Sequence, residues 1–221
     1  EDTTSPAGDS EAMDATVECD GAGNATDLDA WLASNGGATA TDACSGVTWS
    51  NDFDALSDDC GATGAATVMF TATDDCGNAT STTATFTIED TTAPAVMDAM
   101  DAAVECDGAG NAADLDAWLA SNGGASATDA CSGVTWSNDF DALSDDCGAT
   151  GAATVMFTAT DDCGNATSTT ATFTIEDTTA PAVMEAMDAT VECDGAGNAA
   201  DLDAWLASNG GATASDACGG V

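Results

Sequence analysis

The chain is built from one unit that recurs every 87 residues, and this repetition limits its fold more than any other feature. The tetrapeptide Val-Glu-Cys-Asp starts at Val17, Val104 and Val191, and segments 17–88 and 104–175 differ at only two positions. A unit of this length is longer than a solenoid repeat and matches one small domain. We therefore expect about two and a half copies of one module, taken from a longer array.

Each unit combines segments that alternate like strands with one segment that is periodic like a helix. Apolar side chains occupy every second position in Val68–Thr73 and Ala84–Ile88, which is typical of strands with one buried face. Segment 24–34 instead places Trp31 on the apolar face of a short helix that Asn24 can cap. The pattern predicts an all-β fold of tandem immunoglobulin-like β-sandwich modules, each with one short helix. The predicted domains are 1–88, 89–175 and a partial repeat at 176–221.

The tryptophans have predicted structural roles. Trp49 and Trp136 lie on the third predicted strand of their repeats, where an immunoglobulin-type domain holds a core tryptophan. Trp31, Trp118 and Trp205 lie in the predicted helices, and we expect them to pack helix against sheet.

The chain contains no Lys, Arg or His but 40 acidic residues, which gives a formal charge of -40. Nucleic-acid binding and attraction to anionic lipid both require basic side chains, so we exclude them. Membrane insertion is excluded because no run of about 20 apolar residues occurs. A hydrolase with paired carboxylates is disfavoured because the chain has no His, Arg or Tyr to support such a site. We therefore expect a protein that is not an enzyme.

Three strings carry a family resemblance. They are Phe-Thr-Ile-Glu-Asp-Thr-Thr-Ala-Pro at 86–94, Val-Glu-Cys-Asp-Gly at 104–108 and Phe-Thr-Ala-Thr-Asp-Asp-Cys-Gly-Asn at 70–78. In these strings the chain resembles the hyalin-repeat-like (HYR-like) immunoglobulin-type modules of large secreted surface proteins of Bacteroidetes, including gliding-motility adhesins. The resemblance covers essentially the whole chain. It implies an extracellular or cell-surface location and a structural or adhesive function.

Repetition and resemblance together predict a mechanical function, because a catalytic domain rarely gains from near-identical tandem copies. We expect an extended, disulfide-stabilised rod or extracellular filament. Its partners would be neighbouring repeats of the same long chain, with lateral or end-to-end self-association between chains. The alternative is a glycan- or ice-binding adhesin module, in which outward threonine rows or exposed tryptophans form the site. A flat, regular threonine face would favour that alternative.

Each full repeat carries four cysteines, and this even number predicts disulfides and an oxidising compartment. Four cysteines allow three pairings. In a sandwich, strand direction would place Cys44 and Cys76 at one end of the repeat and Cys19 and Cys60 at the other. Thiolate metal binding is disfavoured because the Cys-x-x-Cys spacing is absent. The expected bonds are Cys19–Cys60, Cys44–Cys76, Cys106–Cys147 and Cys131–Cys163.

Acidic residues near the ends of the repeats are candidate calcium ligands. Ca²⁺ prefers six to eight oxygen ligands, which Asp, Glu, Asn and backbone carbonyls supply. We expect Asp42, Asp74 and Asp75 to approach the junction at Glu89 and Asp90. No EF-hand spacing is present, and the alternative is a solvated, self-repelling surface. The candidate ligands are Asp42, Asp74, Asp75, Glu89, Asp90, Asp129, Asp161, Asp162, Glu176 and Asp177.

Two kinds of short motif are candidate glycosylation sites. Thr91 and Thr178 lie in Asp-Thr-Thr strings that resemble the O-glycosylation motif of Bacteroidetes. Asn24, Asn78 and Asn165 lie in Asn-x-Thr sequons. Such motifs also arise by chance in a threonine-rich chain.

Overall fold

The computed structural model describes residues 2–220, which form mainly β-strands and three short α-helices. Of these residues, those up to Met97 form the first of two compact units together with Ser126–Ser137 and Thr158–Ser168, and the other described residues form the second. These units do not coincide with the sequence repeats, so the predicted domain boundaries stay predictions. Within residues 2–220, no helix has the length and apolar character needed to cross a membrane.

The same elements recur in each repeat. The first repeat contains β1 (Ala7–Ser10), β2 (Ala15–Glu18), α1 (Ala25–Ala33), β3 (Thr39–Thr41), β4 (Val47–Asn51), β5 (Gly64–Asp74) and β6 (Ala79–Glu89). The second contains β7 (Ala95–Met97), β8 (Ala102–Glu105), α2 (Ala112–Ala120), β9 (Ser126–Thr128), β10 (Val134–Asn138), β11 (Gly151–Asp161) and β12 (Ala166–Glu176). The third contains β13 (Ala182–Met184), α3 (Ala199–Ala207) and β14 (Thr213–Ser215).

The main sheet of the first repeat has the strand order β2-β6-β5-β4. Strands β5 and β6 form an antiparallel hairpin, whereas β2 runs parallel to β6 and pairs Val17 with Ile88. Strand β1 pairs with β3 in a separate two-stranded sheet. The second repeat has the same order, β8-β12-β11-β10. The sandwich-like sheets confirm the mainly β fold that was predicted, although β1 and the parallel pair were not predicted.

The buried face of the hairpin forms the core, as the alternating pattern predicts. Val68 and Phe70 are fully buried, and Phe86 is 1% exposed. Trp31 of α1 packs edge-on against Phe70, with ring centroids 5.1 Å apart, and its ring lies 5.5 Å from that of Phe86. Such aromatic pairs each add about 0.5–1.5 kcal/mol beyond the burial of apolar area. Trp118 makes equivalent contacts in the second repeat, so the predicted helix-to-sheet role of both tryptophans is confirmed.

The other tryptophans differ from prediction. Trp49 and Trp136 are only half-buried, and Trp49 packs at the margin of the core instead of filling it. Their place is taken by the helix, because Trp31 already covers the centre of the sheet. Trp205 is 36% exposed, since the third repeat has no counterpart of β5 and β6 within residues 177–220. Its predicted packing on a sheet is therefore not found.

Asn24 stands at the start of α1 but does not cap it as predicted. Its backbone is left-handed, with φ of 47°, and its side chain makes no bond to the helix backbone. The side-chain amide instead donates to the Glu18 carbonyl at 2.9 Å and to the Asp27 carboxylate at 3.2 Å. At the other end, Gly36 and Gly37 adopt φ of 63° and 82°, as expected where a helix ends in a left-handed turn.

Candidate functional site at the junctions between repeats

The disulfides connect neighbouring repeats. The sulfurs bond Cys19 to Cys131 and Cys106 to Cys218, with the same Cα–Cα distance of 6.0 Å and the same sequence separation of 112 residues. A third bond joins Cys60 to Cys163, with Cα atoms 5.2 Å apart. Four cysteines of the described chain are unpaired and exposed: Cys44, Cys76, Cys147 and Cys193.

The expected pairing within each repeat is therefore wrong. None of the bonds Cys19–Cys60, Cys44–Cys76, Cys106–Cys147 and Cys131–Cys163 occurs. The segment that follows Cys60 does contact Cys19, since the Cys19 sulfur is 3.8 Å from the carbonyl oxygen of Ala62. This contact agrees with the expectation that Cys19 and Cys60 lie at the same end of the first repeat. Each of them, however, bonds to a cysteine of the second repeat. Strand direction alone does not distinguish these partners, because both full repeats contain cysteines at the same four positions.

Backbone contacts accompany the first of these bonds. Ala62 N–H donates to the Cys131 carbonyl at 2.8 Å. A Cβ atom placed on Gly21 would overlap the carbonyl of Ala130, and one on Gly61 would overlap that of Cys131. Only glycine therefore permits the backbone of the second repeat to approach so closely.

The second junction repeats this arrangement. Ala149 N–H donates to the Cys218 carbonyl at 3.1 Å. A Cβ atom on Gly108 would overlap the Ala217 carbonyl, and one on Gly148 would overlap that of Cys218. Both junctions thus combine a disulfide, a backbone hydrogen bond and close contact at glycine.

The segment after β6 is tied back to β2 by hydrogen bonds to one carboxylate. Glu18 accepts a bond from the Thr92 hydroxyl at 2.7 Å, from the Thr91 hydroxyl at 2.8 Å and from Thr91 N–H at 3.0 Å. The Thr92 hydroxyl contributes most to holding the pKa of Glu18 below its ordinary value. Pro94 is fully buried two residues later. Glu105 makes the same bonds to Thr178 and Thr179.

An acidic pocket lies beside the first junction. Asp90 is 9% exposed, and its carboxylate oxygen, an oxygen of Asp129 and the Cys131 sulfur all lie within 4.8 Å of one another. Asn165 donates to the Asp90 carbonyl and to the Asp161 carboxylate, both at 2.9 Å, and so holds the β11–β12 turn against Asp90. Cys131 is not a thiolate ligand, because its sulfur is in a disulfide.

The Asp90 carboxylate is buried, but only one of its two oxygens accepts a hydrogen bond among the described residues. Its Oδ1 accepts a bond from Thr92 N–H at 3.1 Å, but its Oδ2 has no hydrogen-bond partner among the described residues. Burial raises the pKa of Asp90, and the charges of Asp129, Asp161 and Glu18 raise it further. A hard cation bound to these oxygens would compensate both the burial and the repulsion.

The calcium prediction placed these acids in the wrong combination. Asp42 groups with Asp2 and Cys44, and Asn78 donates to the Asp2 carbonyl at 3.2 Å and to Asp74 at 2.8 Å. Asp42 and Asp74 thus lie near Asp2 and not, as had been expected, near Asp90. Asp90 lies instead near Asp129 and Asp161, which follow it in the same repeat. The remaining predicted ligands are exposed and outside both groups: Asp75, Glu89, Asp162, Glu176 and Asp177.

The glycosylation candidates differ in accessibility. Asn24 is 3% exposed, and its amide nitrogen is already a donor, so it is unavailable in the folded protein. The side chains of Asn78 and Asn165 are half-buried and donate within the acidic groups. Thr91 and Thr178 are exposed, but a glycan on either hydroxyl would replace the hydrogen donated to Glu18 or Glu105.

The solvent face of the β5–β6 hairpin carries paired hydroxyl groups. Thr67 bonds to Thr85 at 2.9 Å, and Thr71 bonds to Ser81 at 3.0 Å. Met69 lies between these pairs and is 42% exposed. The face is therefore rich in hydroxyl groups but is interrupted by an apolar side chain.

A cleft in the third repeat has a volume of about 380 Å³. Val191, Leu202 and Trp205 line it, and Leu202 is 54% exposed. The equivalent residues Leu28 and Trp31 are each 9% exposed in the first repeat. The cleft is thus the core-facing side of α3, which explains its apolar lining without a ligand.

Comparisons with known proteins identify no family for this chain. No family model matches it, and no curated protein matches it. It is weakly similar to Drosophila N-cadherin extracellular domains 1–4, with 14% identity, a TM-score of 0.29, and 63% of this chain and 44% of that one covered. It is also weakly similar to the extracellular domain of protocadherin gamma B4, with 13% identity and a TM-score of 0.30. That match covers 81% of this chain and 33% of the protocadherin chain. The chain spans less than half of either structure, and at these TM-scores the similarity supports no conclusion about fold or function.

Proposed function

We propose that the chain is a structural or adhesive repeat region of a secreted bacterial surface protein of the HYR-like kind. In this proposal, covalently linked repeats form an extended rod or filament outside the cell. The observation that carries the proposal is the recurrence of one bond, Cys19–Cys131 and Cys106–Cys218, between successive repeats. Disulfides persist in oxidising compartments, and a bond between repeats limits bending where an array would otherwise be flexible.

Non-reducing peptide mapping and imaging together test this proposal. The chain has no Lys or Arg, so cleavage before aspartate replaces trypsin. We expect Asp101–Cys106 to be linked to Asp216–Val221, a combination unique to the Cys106–Cys218 bond. Electron microscopy should show extended particles that bend more after reduction. Bonds confined to single repeats, or particles unchanged by reduction, would contradict the proposal. The expectation that the protein is not an enzyme stays a prediction.

We also propose that the acidic pocket at Asp90, Asp129 and Asp161 binds Ca²⁺. Support comes from the unpartnered Asp90 Oδ2, which is buried between other carboxylates and has no basic side chain to neutralise it. Calorimetric titration of the full chain with calcium chloride tests this. Asp90→Asn should remove one binding event, whereas Asp203→Asn, at an exposed position of α3, should retain all of them. Identical titrations of the two variants would contradict the proposal.

The alternative function, binding of a glycan or of ice, is favoured by the paired hydroxyls Thr67–Thr85 and Thr71–Ser81. These pairs lie on adjacent strands of one face, where they would present two rows of hydroxyl groups on either side of Met69. Glycan-array binding and inhibition of ice recrystallisation test it directly. Thr67→Val and Thr71→Val should abolish either activity, while Thr48→Val, on the neighbouring strand β4, should retain it if the β5–β6 rows form the site.

A further inference from the structure

The Cys19–Cys131 disulfide borders the acidic pocket that contains Asp90. A carboxylate oxygen of Asp90, one of Asp129 and the Cys131 sulfur lie within 4.8 Å of one another. The Cys19 sulfur is bonded to that of Cys131, so it lies beside the same pocket. Two sulfurs and two carboxylates therefore meet at one place.

These side chains are largely shielded from water. Cys19 is 7% exposed, Cys131 is 8% exposed and Asp90 is 9% exposed, while Asp129 is half-buried. The Oδ2 atom of Asp90 is buried without a hydrogen-bond partner among the described residues. The chain has no Lys, Arg or His, so none of its own side chains can supply a compensating positive charge. A cation from outside the chain is therefore the ligand that this pocket requires.

The cation that fits depends on the state of the two sulfurs. With the disulfide closed, only oxygens are available, and a hard cation such as Ca²⁺ suits them. Reduction would add two thiolates to the same pocket. Zn²⁺ binds cysteine sulfur and aspartate oxygen and takes four ligands in a tetrahedron. Two thiolates and two carboxylates complete that set, whereas Ca²⁺ has no preference for sulfur.

Backbone contacts hold the two cysteines together independently of their bond. Ala62 N–H donates to the Cys131 carbonyl at 2.8 Å. The Ala130 carbonyl lies against Gly21, where a Cβ atom would overlap it. Neither contact involves a sulfur atom. We therefore expect Cys19 and Cys131 to stay adjacent in the reduced chain.

Two hydrogen bonds also position the groups as ligands. Gly21 N–H donates to the Cys19 sulfur at 3.4 Å, and such a bond favours the thiolate once the disulfide is open. Cys131 N–H donates to Oδ1 of Asp129 at 2.8 Å, which fixes this carboxylate beside the Cys131 side chain. The ligands thus need only small movements to surround a metal ion.

We propose that reduction of the Cys19–Cys131 bond converts this pocket into a zinc site, with Cys19, Cys131, Asp90 and Asp129 as its four ligands. The zinc site goes beyond the proposed function, since neither the rod nor calcium binding requires it. It shares two carboxylates with the proposed calcium site, but the two ions belong to different redox states of the chain. Bound zinc would keep the two thiols together until the disulfide forms.

Formation of the site requires a dithiol reductant such as dithiothreitol. One thiolate of the reductant attacks a sulfur of the Cys19–Cys131 bond, forms a mixed disulfide and releases the other cysteine as a thiolate. The second thiolate of the reductant then closes its own ring and releases the remaining cysteine. The protein disulfide is reduced to two thiols, and the dithiol is oxidised to a cyclic disulfide. Zn²⁺ then binds both sulfurs as thiolates, and their two protons go to solvent.

X-ray absorption spectroscopy tests the ligand set on the full chain, reduced without oxygen and loaded with one equivalent of zinc chloride. The first shell should contain two sulfurs at about 2.3 Å and two oxygens at about 2.0–2.2 Å. A shell of four sulfurs would mean that other cysteines collect the metal, and a shell of oxygens alone would mean that no thiolate binds. Either result would overturn the inference.

A pair of acid variants tests the role of the buried carboxylate while all thiols are kept. Asp90→Asn should weaken zinc binding to the reduced chain by at least about tenfold, since disturbing even an outer partner of a metal site usually costs that much. Glu89→Gln changes the adjacent acid, which is exposed and outside the group, and should retain the native affinity. Competition with a coloured zinc chelator measures both values, and equal affinities would exclude Asp90 as a ligand.

A pair of cysteine variants tests the thiolates, with Co²⁺ as a coloured probe for Zn²⁺. In the reduced chain, Cys131→Ala removes a ligand without breaking a bond, and circular dichroism of the reduced variant checks its fold. It should lose the sulfur-to-cobalt charge-transfer absorption that one equivalent of Co²⁺ gives the native chain. Cys147→Ala removes an exposed, unpaired cysteine and should retain that absorption. Equal spectra for the two variants would exclude Cys131 as a ligand.

The redox state separates this inference from the proposed function. The calcium titration and the non-reducing peptide map are made on the oxidised chain, whereas zinc binding is measured on the reduced one. A reduced native chain that binds zinc no better than Asp90→Asn overturns the zinc site alone. An oxidised chain that lacks the Cys106–Cys218 peptide contradicts the proposed function and leaves the zinc measurement unaffected.

Discussion

The Glu18 carboxylate lies 2.7 Å from the Thr92 hydroxyl, which donates to it and so joins the end of β2 to the start of the second repeat. Thr91 donates to the same carboxylate through both its hydroxyl and its N–H group. Three donors converge on one carboxylate, so its ionised form is favoured.

This contact predicts a pH-dependent order of the connecting segment. The pKa of Glu18 is lowered in the folded protein, chiefly by the Thr92 hydroxyl. Its contribution is therefore present above the unfolded pKa and is lost as the pH falls through the lower folded pKa. Amide hydrogen exchange at Thr91 should accelerate in that acidic range, relative to the intrinsic rate. Glu18→Gln should show the fast exchange at neutral pH, whereas the same substitution at Glu192 in the third repeat should not.

The disulfide at Cys19 predicts an asymmetric effect of cysteine substitution. Cys131→Ala should lower the free energy of unfolding by about 2–4 kcal/mol, because it opens a loop of 112 residues. Cys44→Ala removes the equivalent cysteine of the first repeat, which is exposed and unpaired. It should change the free energy by less than about 0.5 kcal/mol, the usual range for surface substitutions. Urea unfolding under non-reducing conditions measures both values, and similar losses would contradict the assigned bond.

The tryptophans of the helices predict unequal costs for one substitution. Trp31→Ala should lower the free energy of unfolding by about 3–5 kcal/mol, because it removes the contacts to Phe70 and Phe86. Trp205 stands in a nearly identical helix sequence but is 36% exposed, so Trp205→Ala should cost much less. Trp118→Ala, in the second repeat, should behave like Trp31→Ala. Thermal unfolding followed by circular dichroism compares the three, and equal costs would contradict the packing described.

The parts of the fold that follow from local pattern were predictable from the sequence. Val68 and Phe86 alternate with exposed residues, and the pleat of a strand then decides which side chains are buried. The β2–β6 pairing joins Val17 to Ile88, and no local pattern specifies such a distant parallel partner. Strand β1 has four exposed residues, so it carries no alternation to detect.

The candidate site was less predictable because the repeats are nearly identical. The segments around Cys44 and Cys131 have the same sequence, so the sequence cannot indicate which of the two bonds to Cys19. Only the three-dimensional arrangement of the repeats determines that the partner is Cys131. Asp90 was among the predicted ligands, but its grouping with Asp129 depends on the Asn165 amide, whose contact is set by the β11–β12 turn. The acidic composition indicates that carboxylates are the candidate calcium ligands, but only the three-dimensional fold shows which carboxylates lie together.

Asp90 predicts a stability change that is opposite in sign to that of Glu18. Burial raises the pKa of Asp90 in the folded protein above its value in the unfolded chain. The folded protein therefore loses stability as the pH rises from the unfolded pKa to the folded pKa, and this loss persists at higher pH. Asp90→Asn should therefore raise the melting temperature at neutral pH in the presence of chelator.

The same variant should lose the stabilisation that calcium gives the native chain, which is about 2.7 kcal/mol for one site at a free ion concentration of 100 times Kd. Calorimetric melting of both proteins with calcium and with chelator measures the two effects. A native protein that melts at the same temperature in both conditions would contradict the site. An Asp90→Asn variant less stable than the native chain in chelator would contradict the sign assigned to its burial, because removing an uncompensated buried charge should relieve the fold.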